Sequence, residues 1–289
     1  DTSKRAAITN NTATDRGRAR GRKPSISRFN EYEFFEVNIM MIVSCGAGTN
    51  STAVLVGLHE RGIIPDAILF ADTGGEKPHT YAHIKDLQVW LKRISFPEVT
   101  IVKKVDLNGD VLTLEQDCIN KKNLPSVAYG GFKSCSQKYK MQPQEKWVNN
   151  WEPAKAIWKQ GKKITKVIGF DAGEPHRAKD YSCKKYENWY PLLDWDWGRD
   201  ECVEAIARAG LSQPNKSSCF FCPNNRPSEI REMNAVYPDL VQRAIAMEKN
   251  ADLTTIKGLG RSGYAWSQVI ATDEMFPYPQ HEMPCGCGE

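Results

Sequence analysis

Long apolar runs are absent from this sequence. No stretch approaches the roughly 18–20 consecutive apolar residues that a membrane-spanning helix requires, so we expect no membrane partner. The first 28 residues are polar and basic, and they contain no apolar segment of the kind found at the centre of a signal peptide. These two absences favour a cytoplasmic protein.

Histidine is scarce, and its spacing gives no metal-ligand pattern. The chain has five histidines, of which His79 and His176 alone fall in loops that other motifs mark as functional. A histidine-based metal site is therefore not expected. Cysteine, by contrast, occurs nine times. Because disulfides are rare in a reducing compartment, this number favours thiols that bind metal or take part in catalysis.

Positive charge is concentrated at one end of the chain. The net charge is +4, but residues 1–28 carry eight Lys or Arg and two Asp, so the remainder has a net charge of −2. We therefore expect residues 1–38 to form a basic, disordered leader. If nucleic acid binds, we expect this leader alone to contribute an electrostatic contact.

Apolar runs alternate with amphipathic segments from residue 39 onward. Buried strands are predicted at Ile39–Val43, Ala67–Ala71, Val99–Lys103 and Lys166–Phe170. Helices are predicted at Ser51–Arg61, Pro78–Arg93, Val111–Cys118, Lys138–Asn149, Arg199–Ala209 and Pro227–Asn250, the last interrupted near Pro238. This alternation predicts an α/β fold, doubly wound, with a mainly parallel sheet and helices on both faces. Residues 254–289 are rich in Gly and Pro and are predicted to form an ordered tail outside the core.

A glycine-rich loop joins the first predicted strand to the first predicted helix. In such a loop, backbone N–H groups and the helix N-terminus together favour an anion. Gly46 and Gly48 permit positive φ and close backbone approach, and Asn50 or Ser51 is placed to cap the helix. The loop has no lysine and no third glycine, so it is neither a Walker loop nor a dinucleotide fingerprint. The residues predicted to bind phosphate are Ser44, Gly46, Gly48, Thr49, Asn50, Ser51 and Thr52.

Two further segments follow predicted strands. Asp72, Thr73 and Gly74 stand at the end of the second strand, where ligands bind in doubly wound sheets. The segment Gly169–Ala178 follows the fourth strand and contains Glu174 and Arg177. A guanidinium there can pair bidentately with phosphate or sulfate, although a surface ion pair between the two side chains is the alternative.

Taken together, these segments resemble the phosphoadenosine-phosphosulfate (PAPS) reductase family, within the adenine nucleotide alpha-hydrolase or PP-loop ATP pyrophosphatase superfamily. The first loop resembles its pyrophosphate-binding loop, and residues 70–81 are similar to its Asp-Thr-Gly segment. The resemblance covers about residues 40–225 and implies that a nucleotide-binding domain occupies 39–225, followed by a helical, Gly/Pro-rich extension over 226–289. His79 stands where the family generally has an acidic residue, and Asn50 where the ATP pyrophosphatases have Asp.

The cysteines extend the resemblance. Cys219 and Cys222 form a C-x-x-C pair, a spacing that lets two thiolates bind one metal. Cys135 begins a segment similar to the family's Cys-Cys-x-x-x-Lys-x-x-Pro, with Lys140 in register and Ser136 in place of the second cysteine. The resemblance implies a [4Fe–4S] cluster, with zinc as the alternative. The predicted metal ligands are Cys135, Cys219, Cys222 and Cys183, and Cys285 and Cys287 are further candidates for the fourth position.

The resemblance implies thiol-dependent reduction of PAPS or adenylyl sulfate as the first interpretation. Arg177 and Lys140 would neutralise the bound nucleotide, with Glu174 beside them. A cysteine thiolate, Cys285 being the candidate, would attack the sulfur. The electron donor would then be a thioredoxin-like protein.

Two other interpretations remain open. The chain could be an ATP pyrophosphatase that adenylates a target for nucleic-acid thiolation or phosphorothioation, with ATP as its nucleotide. It could also be a non-catalytic nucleotide-binding module that has kept the fold. Sequence alone does not separate these three.

Overall fold

The computed structural model describes residues 39–130, 133–179, 183–261 and 263–275. The predicted leader at 1–38 lies outside the described residues, as do Cys285 and Cys287. Within the part that is described, no helix combines the length and the apolar character needed to cross a membrane.

A single parallel sheet organises the first part of the chain. Its five strands run in the order β3-β2-β1-β4-β5, and every neighbouring pair is parallel. The strands are β1 Met41–Cys45, β2 Ala67–Asp72, β3 Val99–Lys103, β4 Ile164–Ile168 and β5 Tyr186–Trp189. The chain reverses its direction of strand addition between β1 and β4, which is the topological switch point at which such folds bind ligands.

Nine helices of seven or more residues accompany the strands in the described ranges. They are α1 Thr49–Glu60, α2 Pro78–Arg93, α3 Leu114–Asn120, α4 Gln142–Asn150, α5 Glu152–Lys159, α6 Arg199–Arg208, α7 Pro227–Val236, α8 Pro238–Asn250 and α9 Trp266–Met275. A π-helical turn at Gln137–Met141 leads directly into α4. Pro238 separates α7 from α8, as the sequence predicted, because proline cannot donate the backbone hydrogen bond that a continuous helix needs.

Alternate side chains of β1 belong to cores on opposite faces of the sheet. Met41, Val43 and Cys45 pack with side chains of α1, α2 and α6. Ile42 packs instead with a smaller cluster that includes Val148 of α4 and residues of α5. Successive side chains in a strand point to opposite faces, so these strands are apolar throughout. The doubly wound α/β prediction is confirmed.

A third core brings the cysteine-bearing turn together with the C-terminal helices. Phe220 and Phe221 are buried with side chains of α3 and α7 to α9, including Trp266. The predicted boundary between residues 225 and 226 falls inside this core. The prediction of a tail outside the core after residue 254 is wrong, because Trp266, Val269 and Ile270 are buried.

Several predicted elements differ from the structure: β1 and β4 are each displaced by two residues, and the helix predicted at Val111–Cys118 lies at Leu114–Asn120. Helix α1 begins at Thr49 with Gly48 as its N-cap, so neither Asn50 nor Ser51 is the cap. Ser51 lies inside the first turn, and its hydroxyl accepts a hydrogen bond from the Gly48 N–H at 3.2 Å. Strand β5 and helix α5 were not predicted, because β5 has charged and polar residues at its centre and α5 starts in a Trp-Glu-Pro stretch.

Candidate functional site

Three loops and one crossing segment meet at the carboxyl ends of the strands, which we call the carboxyl edge. The loop after β1 is the predicted phosphate loop, Ser44–Thr52. The loops after β2 and β4 carry the Asp72 and Glu174 segments, and residues 215–218 cross beside them. Three of these four segments were predicted from sequence. The fourth was missed, since Asn-Lys-Ser-Ser has no motif of its own.

The phosphate loop is fixed by hydrogen bonds within its own first helical turn. Ser51 and Thr52 both donate from their hydroxyls to the Gly48 carbonyl, each at 3.0 Å. Positive φ occurs at Ala47 (52°), whereas Gly48 has φ −115°. The expectation that the two glycines supply the left-handed conformation is thus not met. The backbone still turns sharply into a helix N-terminus, which is the geometry that favours an anion.

Gly169 allows the end of β4 to approach the start of α1. A Cβ atom at Gly169 would lie 2.9 Å from both the carbonyl carbon and the oxygen of Asn50, and 3.2 Å from the Ser51 nitrogen. These are backbone atoms, which cannot move away as a flexible side chain can. Gly169 therefore sets how closely the loop after β4 can come to the phosphate loop.

His83, on α2, contacts the phosphate loop through Thr52. Its Nε2 lies 3.0 Å from the Thr52 hydroxyl, and the Thr52 hydroxyl itself donates to the Gly48 carbonyl. When the Thr52 hydroxyl donates to Gly48, a neutral His83 donates from Nε2 and carries no proton on Nδ1. Nδ1 is buried and has no hydrogen-bond partner among the described residues. Burial lowers the pKa of His83, in agreement with a neutral ring. Sequence reasoning missed this residue, since a histidine inside an amphipathic helix gives no signal.

Asn50 connects the phosphate loop to the loop after β4. Its side-chain Nδ2 donates to Asp171 at 3.0 Å and lies 3.5 Å from Glu174. Glu174 pairs in turn with Arg177, whose Nη1 lies 2.7 Å from both carboxylate oxygens. Arg177 also lies over the Phe170 ring, at 4.2 Å from its centroid. The ion pair named as the alternative from sequence is thus present, and Asp171 joins the predicted residues at this edge.

The loop after β2 is ordered by Asp72. This buried carboxylate accepts hydrogen bonds from the Gly74 N–H and the Tyr81 hydroxyl, both at 2.8 Å, and it forms an ion pair with Lys103 at 3.3 Å. Burial, followed by the hydrogen bond to Asp72, raises the pKa of Tyr81. Tyr81 therefore stays protonated and donates.

The C-x-x-C turn docks directly on the loop after β2. The Cys219 sulfur lies 3.1 Å from the Thr73 hydroxyl, and the Phe220 N–H donates to the Gly75 carbonyl at 2.7 Å. Burial raises the pKa of the Cys219 thiol, and the nearby carboxylate of Glu76 raises it further. A predicted metal ligand and a predicted nucleotide-binding residue are therefore in contact.

Lys140 lies beside the same turn and contacts a buried carboxylate. Its ammonium is 3.1 Å from Oε1 of Glu76, whose side chain is 0% exposed. Burial alone would lower the pKa of Lys140, but the attraction of Glu76 and of the adjacent cysteines raises it overall. The second Glu76 oxygen is buried without a partner among the described residues. Glu76 was not predicted, because a lone acidic residue after a turn is common.

Cys135 and Cys222 lie near Cys219. Both pack against the core that contains Cys219, and Cys135 interacts electrostatically with Cys222. Three thiols fit a thiolate-liganded metal or cluster by donor chemistry. Among the described residues, however, no three His, Cys, Asp or Glu side chains are close enough together to hold a metal ion.

Cys183 lies at the other end of the sheet. Its N–H donates to the carbonyl of Tyr186, the first residue of β5, at 2.9 Å. In a parallel sheet the first residues of the strands share one edge, so Cys183 stands opposite the carboxyl edge. The structure does not bring Cys183 together with the other three predicted ligands. Cys285, the predicted nucleophile, lies outside the described residues.

The crossing segment 215–218 touches the phosphate loop. A Cβ atom on Gly48 would come within 2.8 Å of the Ser217 hydroxyl. The Lys216 carbonyl lies 3.4 Å from Nε2 of His79, so the segment also reaches the start of α2. The Ser218 hydroxyl is buried without a hydrogen-bond partner in the described part of the chain. Two serine hydroxyls thus stand between the phosphate loop and the C-x-x-C turn.

Comparisons with known proteins add little to this geometry. No protein-family model and no curated protein sequence matches the chain. Among solved structures, the chain is similar to the U34-tRNA thiolase NcsA from Methanococcus maripaludis with its [4Fe-4S] cluster. The two are 14% identical with a TM-score of 0.38, over 84% of this chain and 83% of that chain. A similarity at this level does not indicate a function for this chain.

Proposed function

We propose that this chain is an adenine-nucleotide-dependent enzyme of sulfur chemistry, and that its nucleotide is ATP. The observation that carries the proposal is the contact of Asn50 with Asp171 and Glu174. Asn50 stands where the ATP pyrophosphatases have Asp, and two carboxylates reach the same position from the loop after β4. The phosphate loop itself has no acidic residue, and the loop after β4 therefore supplies the negative charge.

Carboxylates beside a phosphate loop favour a nucleotide that arrives with a divalent cation. Mg²⁺ is commonly held by one or two carboxylates together with substrate phosphates. Asp171 and Glu174 border the loop through Asn50. Because Glu174 is paired with Arg177, Asp171 is the carboxylate that would repel a nucleotide sulfate without a cation. This difference supports ATP over PAPS or adenylyl sulfate.

The proposed reaction has two steps, adenylation of an acceptor and displacement of AMP by sulfur. An acceptor oxygen attacks the α-phosphorus of ATP, the bond between the α- and β-phosphates breaks, and pyrophosphate leaves. A sulfide donor then attacks the adenylated carbon, the carbon–oxygen bond breaks, and AMP leaves with the oxygen. The phosphate loop binds the phosphates through its N–H groups. The positive charges of Arg177 and Lys140 reduce the electrostatic repulsion among the negative groups at the site. Nucleic acid is the acceptor class that the resemblance implies.

The thiols complete the proposal. Cys135, Cys219 and Cys222 would hold a [4Fe–4S] cluster, or zinc, with a fourth ligand from outside this group. A bound cluster would supply a metal centre close to the nucleotide. The contact between Cys219 and Thr73 at 3.1 Å places the thiol next to the loop after β2. Iron and acid-labile sulfide analysis of anaerobically purified protein tests this part, and zinc without sulfide would contradict the cluster.

Product analysis tests the reaction. The full chain is incubated with ATP, Mg²⁺, sulfide and either bulk RNA or plasmid DNA, and pyrophosphate and AMP are measured. Asp171→Asn should lower the rate by about 10- to 100-fold, the range typical for residues that orient a metal–substrate complex. Asp200→Asn, an exposed position on α6, is the matched control. Equal rates for both variants would contradict the role of Asp171.

A variant pair tests the phosphate loop itself. Gly48→Ala would push its Cβ against the Ser217 hydroxyl at 2.8 Å, whereas Ser217→Ala leaves only the Ser217 Cβ, at 3.6 Å. We expect Gly48→Ala to weaken ATP binding by about tenfold, equivalent to about 1.4 kcal/mol, and the double variant to recover most of the loss. Normal ATP binding by Gly48→Ala would contradict the loop assignment.

The thiol-dependent reductase is the second candidate. It is favoured by Lys140, which lies beside Cys219 in the position that the family resemblance gives to an anion-binding lysine. Sulfite release from PAPS or adenylyl sulfate in the presence of thioredoxin would support it. That result, without pyrophosphate release from ATP, would reject the first proposal.

A further inference from the structure

A cavity of about 230 Å³ opens between the start of α2 and helix α7. It joins the nucleotide-binding part of the chain to the C-terminal helices, and cavities between such units are frequent ligand sites. Lys77, His79, Lys216, Glu229, Glu232 and Tyr237 are among the residues that line it. Its volume is below the range of roughly 300–1,000 Å³ typical of pockets for drug-sized ligands, so a small group is the natural occupant.

Lys77 is the distinctive side chain of this cavity. The residue is only 8% exposed, and no carboxylate of the described residues lies within ion-pair distance of its ammonium. Burial lowers the pKa of Lys77, although the more distant carboxylates of Glu229 and Glu232 act in the opposite direction. A buried charge without a partner is costly in free energy, and an anionic ligand would offset that cost.

The other charged groups leave Lys77 as the available cation. Lys216 is paired with Glu229, with its ammonium 2.9 and 2.8 Å from the two carboxylate oxygens. Glu232 is exposed, so water and salt screen its charge. Burial lowers the pKa of His79, which keeps this ring neutral at neutral pH. The cavity therefore has a positive, buried side at Lys77, and the rest of its lining carries the Lys216–Glu229 pair and the exposed charge of Glu232.

The cavity lies next to the proposed nucleotide site but across the crossing segment. Lys216 lines the cavity, while its neighbour Ser217 faces Gly48 of the phosphate loop. On another side, Lys77 interacts electrostatically with Cys222 of the C-x-x-C turn. A ligand in the cavity would thus be close to both the nucleotide phosphates and the thiols.

From this placement we infer that the cavity is a second anion site, in which Lys77 binds a phosphate or sulfate group other than those held by the phosphate loop. The role of this site rests on the proposed function. The bound group would be a second oxyanion available to the same reaction. The group belongs to a small molecule separate from the nucleotide, and the binding experiments below test this separation.

Phosphate binding to the full chain tests the inference. Inorganic phosphate is titrated into protein saturated with a non-hydrolysable ATP analogue, and binding is followed by calorimetry and by ³¹P NMR. Lys77→Met should weaken phosphate binding by at least about tenfold, because the variant removes the charged hydrogen-bond donor. Lys77→Arg should retain binding. Lys85→Met, at an exposed position on the same helix, is the control and should bind as the wild type does.

Histidine NMR gives a measurement on the unmodified chain. Phosphate should shift the ring resonances of His79, which lines the cavity, and leave those of His59 unchanged. Competition between phosphate and the ATP analogue, with weaker ATP binding in Lys77→Met, would overturn the separate site and assign Lys77 to the nucleotide.

Failure of the proposed function can be told apart from failure of this inference. If the chain binds no nucleotide, the proposed function fails, but titration of the nucleotide-free protein still measures the dependence of phosphate binding on Lys77. If phosphate binds equally well to wild type and Lys77→Met, or shifts no resonance of His79, the second anion site is refuted.

Discussion

Gly169→Ala is the sharpest test of how the sheet positions the phosphate loop. The new Cβ would lie 2.9 Å from two backbone atoms of Asn50 and 3.2 Å from the Ser51 nitrogen. These distances are too short for stable contacts, and the atoms belong to the first turn of α1, so the loop has to shift. Overpacking of this kind typically costs about 1–3 kcal/mol.

Two assays follow from this displacement. At about 2 °C for each kcal/mol in a chain of this size, thermal unfolding should fall by about 2–6 °C. Because the N–H groups of the loop move with Asn50, ATP affinity measured by calorimetry should also fall, by about tenfold or more. Binding should suffer even at temperatures where the variant is fully folded.

Gly198→Ala, at the N-cap of α6, is the matched control. Its Cβ would meet only a side-chain oxygen of the exposed Glu201, at 3.0 Å, and a side chain can rotate away. We expect nearly normal unfolding and ATP binding. If Gly169→Ala behaves like Gly198→Ala in both assays, the reasoning about backbone contact is refuted.

Two further variants probe the groups around the loop. His83→Gln should change how the free energy of unfolding depends on pH. Burial lowers the pKa of His83 in the folded state. The unfolded state therefore binds more protons than the folded state as pH falls through about 6.5. The wild type should therefore lose stability from pH 7 to pH 5 more steeply than the variant in urea unfolding, and parallel curves would contradict this. Glu76→Leu should destabilise the fold by about 1–3 kcal/mol, since it leaves Lys140 without its carboxylate. The double variant Glu76→Leu/Lys140→Met should regain much of that loss, and strict additivity of the two single changes would show that the ion pair is not coupled.

The main features of the fold could be predicted from sequence because they depend on local patterns. Continuous apolar runs gave β1 to β4, and the position of Pro238 gave the break between α7 and α8. Strand β5 was missed since Glu187 and Asn188 interrupt any apolar run. It is a strand because it pairs with β4 at the edge of the sheet, and such pairing is not encoded locally.

The site was predicted where its residues form motifs and missed where they act through distant contacts. The phosphate loop, Asp72 and Glu174 follow strands directly, so the rule that ligands bind at carboxyl ends found them. His83 and Ser217 reach the loop from 31 and 169 residues away from Thr52 and Gly48, through contacts that no spacing rule describes. Cys183 shows the reverse error: it is near the Glu174 loop in sequence but at the opposite edge of the sheet.

The shared burial of Phe220, Phe221 and Trp266 has a consequence for synthesis on the ribosome. A nascent chain released only as far as residue 225 contains the five strands and α3, but it lacks α7 to α9, which cover the two phenylalanines in the complete fold. N-terminal units generally fold first during translation, so the thiol-bearing turn waits for more than forty further residues to emerge before it closes. We therefore expect Cys219 and Cys222 to reach their final arrangement, and any metal to bind them, only after the C-terminal helices have left the ribosome.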